Sequence, residues 1–355
     1  MSVMAEKLFL KGNEALSEAA IQAGCHHFFG YPITPQTEVN AYMSKRMPQV
    51  GGTYLQAESE IAAINMTLGA AAAGVRAMTS SSSPGISLKT EGISYIAASD
   101  LPCLILNVQR GGPGLGGIQP SQADYFQATK APGHGDLRLL VLAPSTVQEM
   151  VDLTFLAFDR AEAYRIPVMM LADGLLGQMM EPVVFPEVKV TPHPKPWSCC
   201  GHQNKRPRNI VNSLYLEAAV LEQKVLERFK RYEEITAKET RYEEYLTDDA
   251  EIVLVGYGAS ARIARSAVNS AREMGIKAGL VRPITLWPFP DKPLRALAEK
   301  TKQMLVVEMS MGQMLYDVKA AVEYKIPVHF FGRTGGMVPT PAEVLGQIKT
   351  LAGGK

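Results

Sequence analysis

The sequence predicts an α/β protein built on parallel sheets with helices on both faces. Three observations point there. Short apolar runs alternate with longer helical patterns along most of the chain, as strand–helix–strand units do. Runs such as Leu101 to Gln109 and Ile252 to Val255 are nearly continuous in apolar residues, as strands buried on both faces are. With 355 residues, 46% apolar and 20% charged, the chain has material for two domains with sizeable cores. A net charge of +1 implies no general attraction to nucleic acid or to an acidic membrane. Met1 to Gly12 holds no long apolar region and no small-residue cleavage site, so no signal peptide is expected. No apolar run approaches the ~18 residues of a membrane span, and a cytoplasmic location is expected.

In order along the chain, Ala15 to Ala23 reads as a helix closed by Gly24, and His26 to Phe29 as a strand. Pro32 and Pro35 flank Thr34 in the loop Gly30 to Pro35 and keep it out of a helix. That loop is either a rigid turn into a helix at Gln36 to Ser44 or a ligand loop at a strand's carboxyl end. Tyr54 to Ala57 reads as a strand, and Ser59 as the cap of a helix from Ile61 to Ala73. The Ala, Gly, Ile, Met and Leu of that helix suggest burial all round, with Gly74 as its stop. Glu60 has two readings: a partner for the helix dipole, or a partly buried carboxylate kept for chemistry. Arg76 to Ser81 is a strand running into serines before Pro84-Gly85, and Ile86 to Ala98 a helix. The strand Leu101 to Gln109 ends at Arg110 and a loop, Gly111 to Gly117, rich in glycine. Without a Gly-Lys-Ser/Thr ending it is not a P-loop; a loop that lets a ligand approach the backbone fits better. Arg110 is a ready fork for a carboxylate, or a surface or interface arginine. His134 is read as a satisfied loop histidine in preference to an acid–base group. Strands at Leu139 to Leu142 and Val168 to Ala172, with a helix Thr146 to Arg160 between them, bring the first domain to a close near Phe185.

Glu187 to Pro207 reads as a proline-rich linker. A helical pattern follows from about Asn212 to Leu246, with Leu214, Ala218, Leu221, Val225, Phe229 and Tyr232 on one stripe, fit to pack on a domain or a partner. The second domain starts at Glu251. Its strand Ile252 to Val255 runs into Gly256-Tyr257-Gly258-Ala259-Ser260-Ala261, a dinucleotide-type fingerprint. The helix Arg262 to Glu273 and the strand Ala278 to Val281 suit that unit. However, Arg282-Pro283 stands where the ribose-binding acid belongs, so small residues at a tight turn are preferred over nicotinamide binding. Leu305 to Glu308 and Val328 to Phe331 read as further strands. Among four cysteines, Cys25 and Cys103 lie in or beside apolar strands and read as inert. Cys199-Cys200 is an adjacent pair in the linker. No Cys-x-x-Cys occurs, which argues against an iron–sulfur cluster held by this chain's thiolates.

Four stretches, Gly30 to Pro35, Ser59 to Ala63, Thr79 to Gly85 and Asn107 to Pro113, resemble the alpha subunit of the 2-oxoacid:ferredoxin oxidoreductases, most of all the branched-chain type acting on 3-methyl-2-oxobutanoate. The resemblance implies a thiamine-diphosphate pyrimidine-binding domain at 1–185. A linker and long amphipathic helix would follow at 186–250, then a transketolase C-terminal-like domain at 251–355. It implies oxidative decarboxylation of a 2-oxoacid to acyl-CoA and CO2, with coenzyme A as co-substrate. It also implies roles. Glu60 would be the carboxylate on the cofactor's pyrimidine, Arg110 would hold the substrate carboxylate and Thr34 would face the substrate. Tyr31, Pro32, Ile33, Ser82 and Ser83 would line the cofactor. Gly135-Asp136-Leu137 fails at the third position of the Gly-Asp-Gly segment that holds Mg2+ and diphosphate, so no metal is expected on this chain. That half of the site would lie on a beta subunit, with iron–sulfur clusters on gamma and ferredoxin-like delta subunits passing electrons to ferredoxin. Other readings are the same reaction on 2-oxoglutarate or pyruvate, an NADP-linked oxidoreductase, and a non-catalytic assembly subunit.

Overall fold

The computed structural model describes residues 7–187, 190 and 192–353. The first part of the chain runs β1 (Leu8–Lys11), α1 (Gly12–Gln22), β2 (His27–Gly30), α2 (Thr37–Arg46), β3 (Thr53–Gln56), α3 (Glu60–Ala72), β4 (Ala77–Ser81) and α4 (Pro84–Ala98). It continues through β5 (Cys103–Gln109), α5 (Tyr125–Thr129), β6 (Leu140–Leu142), α6 (Val147–Tyr164), β7 (Pro167–Asp173), α7 (Gly174–Gln178) and β8 (Met180–Val183). After the linker come α8 (Ala218–Glu239), β9 (Tyr242–Tyr245), β10 (Ile252–Val255), α9 (Gly258–Glu273), β11 (Ala278–Pro283) and β12 (Thr285–Trp287). The chain ends with α10 (Asp291–Ala298), β13 (Gln303–Glu308), α11 (Met314–Ala321), β14 (Val328–Gly332) and α12 (Pro341–Leu351).

Two sheets carry the fold. The larger has the order β12-β6-β7-β5-β4-β2-β3, parallel throughout except for the antiparallel edge strand β12. The second has the order β14-β13-β10-β11-β9, parallel except for β9. Strands β5 and β7 are buried along their whole length, which is why they read as unbroken apolar runs. Their register pairs Gln109 with Asp173, so the loops after both strands leave from one edge. The two sheets share an apolar cluster that includes Tyr125, Ile105, Tyr257 and Val306, and β12, from the carboxyl-terminal part, completes the first sheet. The ribbon β1–β8 and the short helices α5, α7 and α10 were not signalled by periodicity.

Two expectations are corrected. The helix expected over Asn212 to Leu246 is confined to Ala218–Glu239. Beyond it the backbone of Arg241 pairs with Thr285 and Ile284, and Tyr242–Tyr245 joins β11 as a strand. Pairing with a sheet edge overrides local helical preference here. On α8 only Arg228, Tyr232, Ile235 and Glu239 are buried; Leu214, Leu221 and Phe229 of the predicted stripe stay exposed. Helix α3 is not buried all round either. Ala63, Ile64, Thr67 and Ala71 face the sheet, whereas Asn65 and Gly69 are exposed and Ile61 is 52% exposed. Its small residues lower its bulk without forcing burial.

Candidate active site

The carboxyl ends of β5, β4, β2 and β3 lie side by side in the sheet, and every predicted site residue follows one of them. Helix α3 starts as expected: Ser59 caps it by accepting from the Ala62 N–H at 3.3 Å. Glu60, its first residue, is buried. The Glu60 carboxylate lies over the start of α4. A methyl group on Gly85 would sit 2.6 Å from Glu60 Oε1 and 2.0 Å from Ser81 Oγ, so this approach requires glycine. Among the described residues no donor reaches the Glu60 carboxylate.

Arg110, also buried, is fixed by its backbone-facing bonds. Its Nη1 donates to the Thr34 carbonyl at 2.9 Å and its Nη2 to the Leu115 carbonyl at 3.0 Å, while its buried Nε has no partner. The Arg110 N–H donates to Ser83 Oγ at 3.0 Å, and that hydroxyl donates to Asp124 Oδ2 at 2.6 Å. Asn107 completes the knot, donating to the same Asp124 oxygen at 2.9 Å and accepting from the Ser83 N–H at 3.2 Å. Burial pushes the Asp124 carboxyl above its ordinary value, against the hydrogen bonds of Ser83 and Asn107 and the charge of Arg110. This network holds Ser83 at a φ of 25°, a costly left-handed conformation for a residue with a Cβ. Ser81 and Ser82 have buried hydroxyls without partners. The Tyr31–Ile33 loop is tied to the serines through Gln36, which donates to the Tyr31 carbonyl at 3.1 Å and accepts from Ser80 Oγ at 2.6 Å.

Thr34, Arg110 and Ser83 are therefore bonded into one constellation, with Tyr31, Pro32, Ile33, Ser82 and Glu60 along the same edge. His134 lies apart: its carbonyl accepts from Ser94, toward the far end of α4, and Gly135-Asp136 goes with it. Sequence reasoning assigned no role to Gln36, Gly85, Lys89, Asn107 or Asp124. The readable signal was a polar residue inside an otherwise apolar element, as Asn107 is in β5 and Lys89 in α4. Cys25 and Cys103 are buried, their thiols pushed up to about 12 by desolvation, while Cys199 and Cys200 are exposed.

The fingerprint at Gly256–Ala261 is filled by the chain itself. Gln122 donates to the Tyr257 carbonyl at 2.8 Å and accepts from Ser260 Oγ at 2.6 Å. The buried Asp173 caps α7 through the N–H groups of Leu175 and Leu176 and faces Gly258 at the start of α9. A Cβ on Gly258 would lie 3.1 Å from Gln122 and 3.4 Å from Asp173. Gln122 and Asp173 occupy the side of the turn where a pyrophosphate would sit, which argues against the NADP-linked reading.

Glu60 is buried as a residue, its carboxylate oxygens still reach the crevice surface, and it lies beside unpartnered serine hydroxyls; this set fits the aminopyrimidine of thiamine diphosphate, whose ring needs an acid partner. Among the described residues no group of three or more His, Cys, Asp or Glu could hold a metal. Residues 18–243 match the family model of the thiamine-diphosphate-binding domain of pyruvate flavodoxin/ferredoxin oxidoreductases, and residues 250–344 match core domain II of pyruvate:ferredoxin oxidoreductase. The chain belongs to the 2-oxoacid:ferredoxin oxidoreductase family. Among its relatives, ketoisovalerate oxidoreductase subunit VorB of Methanothermobacter thermautotrophicus is 50% identical over 97% of both chains. The 2-oxoglutarate synthase subunit KorA of the same organism is 37% identical over 97% of this chain and 99% of its own. A 2-oxoglutarate:ferredoxin oxidoreductase structure from Magnetococcus marinus superposes with a TM-score of 0.86 at 27% identity, covering 98% of this chain and 65% of that one. An inactive split-gene transketolase tetramer, at 15% identity and a TM-score of 0.58, shares the fold. This 2-oxoacid:ferredoxin oxidoreductase chain is thus a subunit of a thiamine-diphosphate-dependent, multi-subunit enzyme. Among the described residues no helix is long and apolar enough to cross a membrane.

Proposed function

We propose that the chain is the alpha subunit of a 3-methyl-2-oxobutanoate (ketoisovalerate):ferredoxin oxidoreductase and that Glu60, Arg110 and Thr34 are its catalytic residues. The observation that carries the reading is that Glu60 is buried while, among the described residues, no donor reaches its carboxylate, on the same sheet edge as the buried Arg110. When bound, thiamine diphosphate supplies the carbon nucleophile that attacks the 2-oxo group. Glu60 would share a proton with the far pyrimidine nitrogen, favouring the imino form of the ring's amine. Arg110, held by the Thr34 and Leu115 carbonyls, would orient the carboxylate that departs as CO2. Thr34, whose backbone is pinned by Arg110, would hydrogen-bond the substrate oxygen. Tyr31, Pro32, Ile33, Ser82 and Ser83 would wall the pyrimidine.

The substrate assignment rests on the cleft against the Arg110 loop and on the similarity to VorB. The cleft, about 620 Å³, is lined by the apolar Pro113, Leu115 and Met311 and by polar residues including Ser83, Asp124 and Gln313, with no lysine or arginine among the described residues that line it. Apolar side chains suit a branched aliphatic tail, and Asp124 would repel a second carboxylate. A beta subunit would supply Mg2+ and the diphosphate grip. Gamma and delta subunits would carry iron–sulfur clusters to ferredoxin, and coenzyme A would take the acyl group. The test is the reconstituted complex against a panel of 2-oxoacids. We expect kcat/KM for 3-methyl-2-oxobutanoate at least ~10-fold above that for 2-oxoglutarate, and weak thiamine diphosphate binding by the isolated chain in calorimetry. A preference for 2-oxoglutarate would overturn the substrate, and tight binding by the chain alone would overturn the shared site.

A further inference from the structure

Helix α4 carries a lysine that the reaction as described does not use. Lys89 has no solvent exposure, a rare state for a lysine. Its ammonium donates to Thr79 Oγ1 and, at 3.1 Å, to the Ser80 carbonyl, both on β4. Lys89 lies four residues after Gly85, one turn along the same face of α4. Gly85 is the point against which the Glu60 carboxylate packs. No direct ion pair joins the two; Lys89 lies one helical turn from the glycine on which Glu60 rests, with its ammonium bonded to β4. The charged or titratable groups acting on it are Glu60 from α3 and Cys103 from β5, of which Cys103 is held neutral by burial. Desolvation pulls the amine down to about 7, and the charge of Glu60 opposes that fall.

We infer that Lys89 is a positioning residue for the reaction: its ammonium, clamped by Thr79 and Ser80, is the counter-charge that acts on the Glu60 carboxylate from one turn along α4. A nearby cation favours the charged form of a carboxylate. Such a cation favours the arrangement in which the shared proton resides on the pyrimidine nitrogen and the negative charge on Glu60. The inference rests on the role proposed for Glu60.

The test uses the assembled complex and reads two quantities against pH: kcat, and thiamine diphosphate affinity by calorimetry. In Lys89→Met the acid limb of kcat and the midpoint of binding should both move up by roughly one pH unit, tenfold in proton concentration, and Lys89→Arg should restore most of that shift. A rate lowered by the same factor at every pH, with both midpoints unmoved, overturns the inference. Should Lys89→Met fail to assemble, Thr79→Val, which removes only the hydroxyl anchor, decides it: a smaller shift of both midpoints in the same direction supports the inference, and no shift overturns it. Glu60→Gln separates the two readings. Loss of the acid limb with low activity leaves Glu60 in place whatever Lys89 does, whereas wild-type turnover in Glu60→Gln defeats the Glu60 reading itself.

Discussion

Two loop regions of this molecule look alike in sequence and differ in what they leave free. Both are turns from a buried parallel strand into a helix, rich in small residues. At β10–α9 the chain fills the turn itself: Asp173 lies against Gly258, and Gln122 donates to the Tyr257 carbonyl and accepts from Ser260 Oγ. The neighbouring helix α11 is served likewise, by a buried Glu308 that accepts from Gln313, Met314 and Leu315. At the edge formed by β3, β4 and β5 the opposite holds. Glu60 receives no donor, and Ser81, Ser82 and the Arg110 Nε are buried without partners. Buried polar groups are normally satisfied, so the second region is built for something outside the chain and the first is built to be closed.

Substitutions can break this contrast. The largest effect is expected at Glu60. Glu60→Gln keeps the shape and removes the charge, and should cost about 2–4 kcal/mol of barrier, the scale of one key electrostatic group, seen as a fall in kcat at saturating cofactor. Arg110→Lys comes next. A lysine cannot reproduce the two carbonyl bonds and still offer a third donor, so kcat/KM should fall by about 1.5–3 kcal/mol, with pre-steady-state kinetics locating the loss before electron transfer. The smallest effect is expected in the closed region. The Asp173 carboxyl is raised from 3.8 to about 6 by desolvation, against its backbone hydrogen bonds. A raised folded value means that Asp173 contributes stability below its unfolded value and that the contribution is lost as pH rises through the folded one. The denaturation midpoint of the wild-type protein should therefore decline between about pH 4 and 6, and Asp173→Asn should flatten that decline while leaving kcat near wild type.

Much of the candidate site was legible because its residues follow strand ends. An apolar run must stop where the chain leaves the sheet, so Tyr31, Ser82, Arg110 and the cap–acid pair Ser59-Glu60 stood out at the breaks. The polar residues behind them did not. Asn107 and Lys89 lie inside elements whose periodicity says only that they are buried, and nothing local says which partner offsets the cost. Helix α8 failed differently: its pattern continued past Glu239 into Tyr242–Tyr245, which a sheet edge claimed as β9.

The sequence by itself determined the alternation of strands and helices, the positions of the ligand-side loops and the acid at the head of α3. Those follow from periods of 2 and 3.6 residues and from capping chemistry, which act within a few residues of one another. Only the tertiary structure decided that Glu60 rests on Gly85 with Lys89 one turn further along α4, that Arg110 reaches Thr34, and that the fingerprint at Gly258 is plugged by Gln122 and Asp173. Each of those is a contact between residues far apart in the chain. Its energy depends on who is left without a partner once water has gone, and sequence spacing carries no record of that.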